Sequence, residues 1–384
     1  MPILQESPEL ARPKSKTLRV AFICTTVSGV SYYRMGCFAW AMRKWPRVQT
    51  HLWPYSSQET VQNPWQVDML DDLPRIPVKS IGQALTVRQY VDWLCRTSDV
   101  VVWQALDFRH SLELFEDMRQ RHQKPFLMEI DDYVADVPVT NEAHSGYRPG
   151  SIRYQVATAQ MRGSDGIIVS TPYLAERYRE FNDRIYVIPN SIDLKAWKAP
   201  KPKKSDRIRI GWIGSGAHSA DLEMVAPVIE EVTRKHPKAW FYCIHGVPEI
   251  YKDMPKVYWT HKWATINLYP RAMASYRFDI GIAPLVDNNF NRGKSNLRWL
   301  EYSALKIPTV ASPLPDFKRV IQSGVNGYLA NSLDEWKDSL CALIEDEDHR
   351  RRMGLEAYKT VKRDFSVSKT ARTYLNLLRE VAAQ

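Results

Sequence analysis

A chain of 384 residues, 44% apolar and 25% charged, has a globular composition and exceeds one ordinary core, so two domains are expected. Its net charge, 53 − 43 = +10, points to an anionic partner: nucleic acid, an anionic membrane surface or an anionic substrate. No apolar run approaches the roughly 18 residues of a bilayer span, and five scattered cysteines without a CxxC pair read as buried or free thiols, fitting neither a disulfide framework nor a zinc site. These features suggest a protein of the reducing cytoplasm.

Residues 1–16, MPILQESPELARPKSK, lack an apolar signal-peptide segment and read as a flexible basic arm. TLRVAFICTT (17–26) is the first expected strand, followed by the small polar loop VSGVSYYR and a helix through MGCFAWAMRKW. SDVVVWQAL (98–106), PFLMEIDD (125–132), GSDGIIVST (163–171) and RIYVIPN (184–190) are further expected strands, with helices between them. Strand–helix alternation at this spacing predicts a parallel, doubly wound sheet over 17–192. The Pro- and Lys-rich stretch 193–206 reads as a linker. The pattern restarts at RIRIGWIGSGAHSADLE and continues through AWFYCIHG, VYWTHKW, FDIGIAPL, IPTVAS and GYLA, giving a second Rossmann-like domain over 207–365. A last helix, 366–384, is expected to pack back on the first domain. The fold class is thus α/β, two Rossmann-like domains facing a cleft lined by strand C-terminal ends, where ligands bind.

DNNFNRGKSNLRWLEYSALKIPTVAS (287–312) carries the most chemistry. A buried strand leads into a polar loop with Asn288, Asn289, Asn291, Arg292 and Gly293, and a helix is expected to start near Ser295. Free amides and the positive end of the helix dipole make such a mouth an anion site, and Lys294 adds a full charge. Lys294, Arg298 and Glu301 fall on one helix face, which suits a diphosphate joined to a ribose. A solvated Arg298–Glu301 pair is the plainer alternative. Thirteen tryptophans, among them Trp40, Trp45, Trp53 and Trp65, could stack on sugars or bases, although burial explains most tryptophans.

GVSYYR (29–34), EIDDYV (129–134), VIPNSID (187–193), IGWIGSGAHSADL (210–222) and the 287–312 block, in this order, resemble retaining glycosyltransferases of family 4. The resemblance is closest to a subgroup of bacteria and their phages, runs from Thr17 onward, and implies the GT-B arrangement of two Rossmann-like domains. It implies transfer from a nucleotide sugar, with a UDP-sugar as the expected donor, and with no cofactor and no metal. If the gene is phage-borne, the host cytoplasm is the implied location.

Residue by residue, the resemblance places Gly29, Arg34, Gly214, Ser215 and His218 beside the donor. Asn291, Arg292, Lys294 and the amides of Ser295 and Asn296 would hold the diphosphate, and Glu301 the ribose. Asp131, Asp132 and Lys294 are the catalytic candidates: Lys294 for the leaving diphosphate, the two aspartates for orienting the acceptor. A helix cap is the alternative for Asp131 and Asp132, and the cap reading also covers Asp221 beside His218. The family's acidic residue eight positions before Glu301 is Gly293 here, so the usual sugar contact is missing and Asp287 is a possible substitute. Lys306 stands where a small residue is usual. Two acceptors are expected: a hydroxylated pyrimidine in double-stranded DNA, or a glycan of the cell surface or its lipid-linked precursor. A non-catalytic nucleotide-sugar or DNA-binding relative is the alternative of another class. The sequence does not specify the oligomeric state.

Overall fold

The computed structural model of the chain describes residues 17–24, 28–53, 76–78, 82–104, 109–141, 143–200, 205–262 and 264–384. The expected arm at 1–16, Trp65 and residues 201–204 of the basic linker lie outside these.

The first domain holds β1 (Leu18–Ile23), β2 (Val48–Trp53), β5 (Val100–Gln104), β6 (Phe126–Ile130), β7 (Gly166–Val169) and β8 (Ile185–Val187). They form one six-stranded sheet in the order β2-β1-β5-β6-β7-β8, every pair parallel. A short antiparallel pair, β3 (Ile76–Val78) and β4 (Gln83–Leu85), stands apart from it. The second domain repeats the scheme with β9 (Ile208–Gly214), β10 (Ala239–His245), β11 (Val257–Thr260), β12 (Ile280–Ala283), β13 (Thr309–Ala311) and β14 (Tyr328–Leu329). Its order is β11-β10-β9-β12-β13-β14, again parallel throughout. Helices cover both faces, which is why β5, β6 and β12 are buried along their whole length and, apart from Gln104 and Glu129, apolar.

The strand β2 escapes the apolar-run reading because VQTHLW is half polar. Buried Thr50 is nevertheless satisfied there: its hydroxyl donates to the Ala39 carbonyl (2.9 Å) and accepts from Arg43 Nε (3.0 Å). Trp103, Trp299 and Trp336 are fully buried, the outcome expected for most of the tryptophans. All five cysteines are buried as well.

The C-terminal helix, Val367–Ala382, returns to the first domain. Tyr374 makes edge contacts with Phe22 (6.0 Å between ring centres) and Phe38 (5.5 Å). The Ser191 hydroxyl donates to Thr370 Oγ1 (2.6 Å), and Ile192 pairs with Ser366 at the helix entrance. One apolar cluster therefore runs from β1 through Ile192 and Trp197 to Trp299 and Val381.

Candidate donor and acceptor site between the domains

Each sheet has a topological switch where neighbouring strands run off in opposite directions, and crevices at such points bind ligands. In the second sheet the switch lies between β9 and β12. Buried Asp221 ties the two loops there together. Its Oδ1 accepts from the Asn291 side-chain amide (2.7 Å) and the Val286 N–H (2.8 Å), while Oδ2 meets His218 Nδ1 at 2.8 Å. Asp221 is thus a hub rather than the helix cap the sequence suggested. Asn291, expected at the diphosphate, is a buried strut whose amide is spent on Asp221 and the Val286 carbonyl (2.9 Å). The Gly214–Gly216 loop is pressed against Gly246, where a Cβ would lie 2.2 Å from the Ser215 carbonyl carbon. The Gly246 N–H donates to the Gly214 carbonyl at 2.7 Å.

The helix of the 287–312 block begins later than expected, as Leu297–Ala304 with Asn296 at its N-cap. The polar loop before it contains one helical turn, Asn289–Arg292, because the Asn288 side chain caps it by accepting from Asn291 N (2.8 Å). Arg292 turns away from the mouth and holds exposed Asp287 through two bonds of 2.6 and 3.1 Å. That bidentate pair holds the Asp287 carboxyl below the usual carboxylate range. Neither residue stands free for a donor sugar or phosphate. The Asn296 amide is also committed, donating to Asp316 Oδ2 at 2.8 Å. Its side chain differs: only 1% exposed, it has no partner for Nδ2 or Oδ1 among the described residues.

Lys294, the mouth cation of the anion-site reading, faces a protein carboxylate in this structure. Its ammonium donates to Asp132 Oδ1 at 2.7 Å across the domain boundary and lies 4.3 Å from the Phe290 ring centre. Next to it, the Asn190 amide of the first domain donates to Ser295 Oγ (2.7 Å). Gly293 is explained by the same closure. Its carbonyl accepts from Thr171 Oγ1 (3.3 Å), and a Cβ there would meet Leu174 Cδ2 at 2.9 Å and Tyr133 Cβ at 3.2 Å. An acidic side chain at 293 would have to displace the first domain.

The first-domain wall is the C-terminal end of β6. Glu129 is wholly buried against Arg34 (Nε–Oε1 2.5 Å). Arg34 also donates to the Ile188 carbonyl (2.7 Å) and Asn190 Oδ1 (3.0 Å). It was expected beside the donor; here it is only 1% exposed, with Nη2 lacking a partner among the described residues. It is instead the internal counter-charge of this wall. Asp131 sits just beyond. Burial, then the charges of Asp132 and Glu129, push its carboxyl up to about 8, against the pull of Arg34 and Lys294. Gly29 opens the short helix Gly29–Ser31 at the end of β1, with Ser31 donating to Gln104 Oε1 (2.9 Å) across the first sheet's own switch point.

Glu301 is not a solvated partner of Arg298. It is 3% exposed and accepts three bonds: Tyr33 OH on Oε1 (2.8 Å), Arg298 Nη1 (2.6 Å) and Tyr269 OH (3.3 Å) on Oε2. Tyr33, buried in the apolar cluster, reaches this carboxylate from the first domain. Burial raises the carboxyl, and Arg298 opposes the rise most.

Residues 226–376 match a family model described as glycosyl transferase-like. The matched residues cover most of the second domain and the first part of the C-terminal helix. The whole chain has the GT-B fold: it superimposes on Anabaena Alr3699/HepE in complex with UDP-glucose with a TM-score of 0.65 at 12% identity, over 94% of this chain and 100% of that one. Sucrose-phosphate synthase from Thermosynechococcus elongatus gives 0.62 at 13% identity over 95% and 99% of the two chains. TarM gives 0.59 at 15% identity over 78% of this chain, and the match spans 59% of TarM. No curated protein matches the sequence. Among the described residues, no helix is long and apolar enough to cross a membrane.

Proposed function

We propose that the protein transfers a sugar from a UDP-sugar to an acceptor hydroxyl with retention of anomeric configuration. One observation carries this reading: Lys294, at the mouth of the 297–304 helix, lies 2.7 Å from Asp132. A diphosphate that takes Lys294 from Asp132 sets its sugar over the Asp131–Asp132 wall. The bond from the anomeric carbon to the β-phosphate oxygen breaks, and the acceptor oxygen bonds the same face of that carbon. The acceptor proton passes to the departing phosphate. Lys294 and the helix dipole stabilise the leaving UDP, and no resident cofactor or metal enters the scheme. Asp131, held protonated through neutral pH, donates a hydrogen bond that orients the acceptor. Glu301 has lone pairs for the ribose hydroxyls once Tyr33 yields, since an ionised carboxylate offers about four acceptor positions.

The acceptor reading that this wall favours is an uncharged polyhydroxyl group, a glycan. Once a diphosphate has taken Lys294, Asp132 is left as an unpaired carboxylate where the acceptor enters, and it repels a phosphate backbone. Alr3699/HepE was solved with UDP-glucose, and TarM with UDP and α-GlcNAc-glycerol, which fits that choice. Hydroxymethylated double-stranded DNA is the second reading, favoured by the net charge of +10. The deciding assay measures UDP release from a panel of UDP-sugars, offered with soluble glycans or with hydroxymethylated duplex DNA. Release stimulated by glycans alone is expected. Stimulation by DNA alone reverses the acceptor, and no release from any donor makes the chain a binding protein that kept the fold.

A further inference from the structure

On the far side of the second domain, three side chains from two helices converge. His236 follows directly on the helix Ala226–Lys235, while Cys341 and Glu345 lie one turn apart on Leu333–Glu345. His236 Nε2 is 3.4 Å from Cys341 Sγ and 3.6 Å from Glu345 Oε1, and all three donor atoms fall within 4.8 Å of one another. A tetrahedral zinc site with Zn–S near 2.3 Å and Zn–N and Zn–O near 2.0–2.1 Å has edges of about 3.5 Å from N to S and about 3.4 Å from N to O. Both observed edges already have those lengths. Only the Cys341–Glu345 edge has to adjust, and Glu345, exposed at the last turn of its helix, is the ligand able to move.

We propose that His236, Cys341 and Glu345 bind one zinc ion, with water as fourth ligand, and that the ion clamps these two helices over the second sheet. The donor set is the mixed thiolate, imidazole and carboxylate combination that suits Zn²⁺ rather than Mg²⁺ or Ca²⁺. The surrounding charge suits a cation, since Glu231, Asp338 and Glu345 all act on the thiol, opposed by Lys235. The Lys235 ammonium lies 3.9 Å from both Cys341 Sγ and Glu345 Oε1, where a monovalent charge occupies the ion's neighbourhood. Zinc displaces it toward solvent, which is cheap because the Lys235 side chain is 58% exposed. Binding converts the Cys341 thiol to a zinc thiolate and releases its proton to solvent. No residue of the cleft is involved, so the ion is structural and independent of sugar transfer. The sequence concealed the site because its ligands are 105 residues apart, with no motif spacing.

The test loads the chelator-stripped full chain with Zn²⁺ in competition with a chromophoric chelator, and in parallel with Co²⁺. One equivalent of zinc, a rise in melting temperature and a thiolate-to-cobalt charge-transfer band are expected. Cys341→Ser should abolish the band. Glu345→Gln, at an exposed position that leaves the fold intact, should weaken zinc at least tenfold. Absence of the band in the wild-type chain, or wild-type zinc affinity in both variants, overturns the proposal.

Discussion

Each domain buries an arginine–glutamate pair at the cleft, and the two pairs have different jobs. Arg34–Glu129 in the first domain is sealed: both side chains have zero exposure, and Arg34 Nη1 bonds Ile188 and Asn190, while Arg34 Nη2 and Glu129 Oε2 have no partner among the described residues. Arg298–Glu301 in the second is open on one side, with the Arg298 side chain 26% exposed and Glu301 shared with tyrosines from both domains. The same ion pair is a strut where nothing else can enter and a ligand seat where a hydroxyl can be exchanged. What separates the two roles is access, which neither residue type reveals.

Breaking the sealed pair should have the largest effect. Arg34→Met leaves Glu129 charged and alone in the core, which costs about 3–5 kcal/mol when one partner of a buried pair is removed. A fall of roughly 10 °C in the melting temperature is expected at 2–4 °C per kcal/mol for a domain of this size. The double variant Arg34→Met/Glu129→Leu should recover most of it, because a buried pair replaced by apolar groups is often neutral. If Arg34→Met instead melts normally but loses UDP-sugar affinity, the arginine is a donor ligand after all.

Lys294→Ala comes next. A single charged group on a developing leaving-group charge is worth on the order of 10²–10³ in kcat, and the fold should hold because the Lys294–Asp132 bond is partly exposed. Asp132→Asn separates the two parts of that contact. It removes the competitor for the ammonium while leaving the cation, so UDP binding by calorimetry should tighten. Weaker binding would mean that Asp132 helps to hold the donor rather than competing with it.

The open pair should give smaller and opposed effects. Glu301→Gln removes a charge-assisted acceptor and should weaken UDP roughly ten- to a hundredfold, the range for bonds worth about 1.5–3 kcal/mol. Tyr33→Phe removes only the first-domain donor from Oε1 and should leave UDP affinity within about threefold or improve it. Equal losses in both variants would make Tyr33 part of the binding site instead of its gate.

These contrasts also show how far the sequence could be read. Parallel strands buried on both faces announce themselves as apolar runs, so both sheets were visible except β2, whose Gln49, Thr50 and His51 interrupt the run. Lys294 and Asp132 were each singled out, yet their contact spans 162 residues and arises only from domain packing. Arg34 and Asn291 stand at the donor in the family resemblance, and the structure buries both. Asp221 and Asp316 were overlooked as organisers, since an aspartate near a helix start reads first as a cap. Gly293 looked like a lost sugar contact. The crowding by Leu174 and Tyr133 shows that the first domain occupies the space its missing side chain would need.

A separate effect concerns pH and isolates Asp131. Its folded-state carboxyl stands at about 8, above the roughly 4 of an unfolded aspartate. The folded chain therefore holds this proton more tightly than the unfolded chain. The resulting stability is fully present below about pH 4 and is lost as pH rises through about 8. Asp131→Asn cannot ionise, so denaturant midpoints measured between pH 5 and pH 8 should fall less steeply with pH than in the wild type. The same variant keeps a hydrogen-bond donor, so transfer at pH 6 should survive. The alkaline decline in kcat that ionisation of Asp131 causes should flatten. A variant with wild-type slopes in both measurements would show that this proton serves neither the fold nor the acceptor, and the carboxylate wall would then act through Asp132 alone.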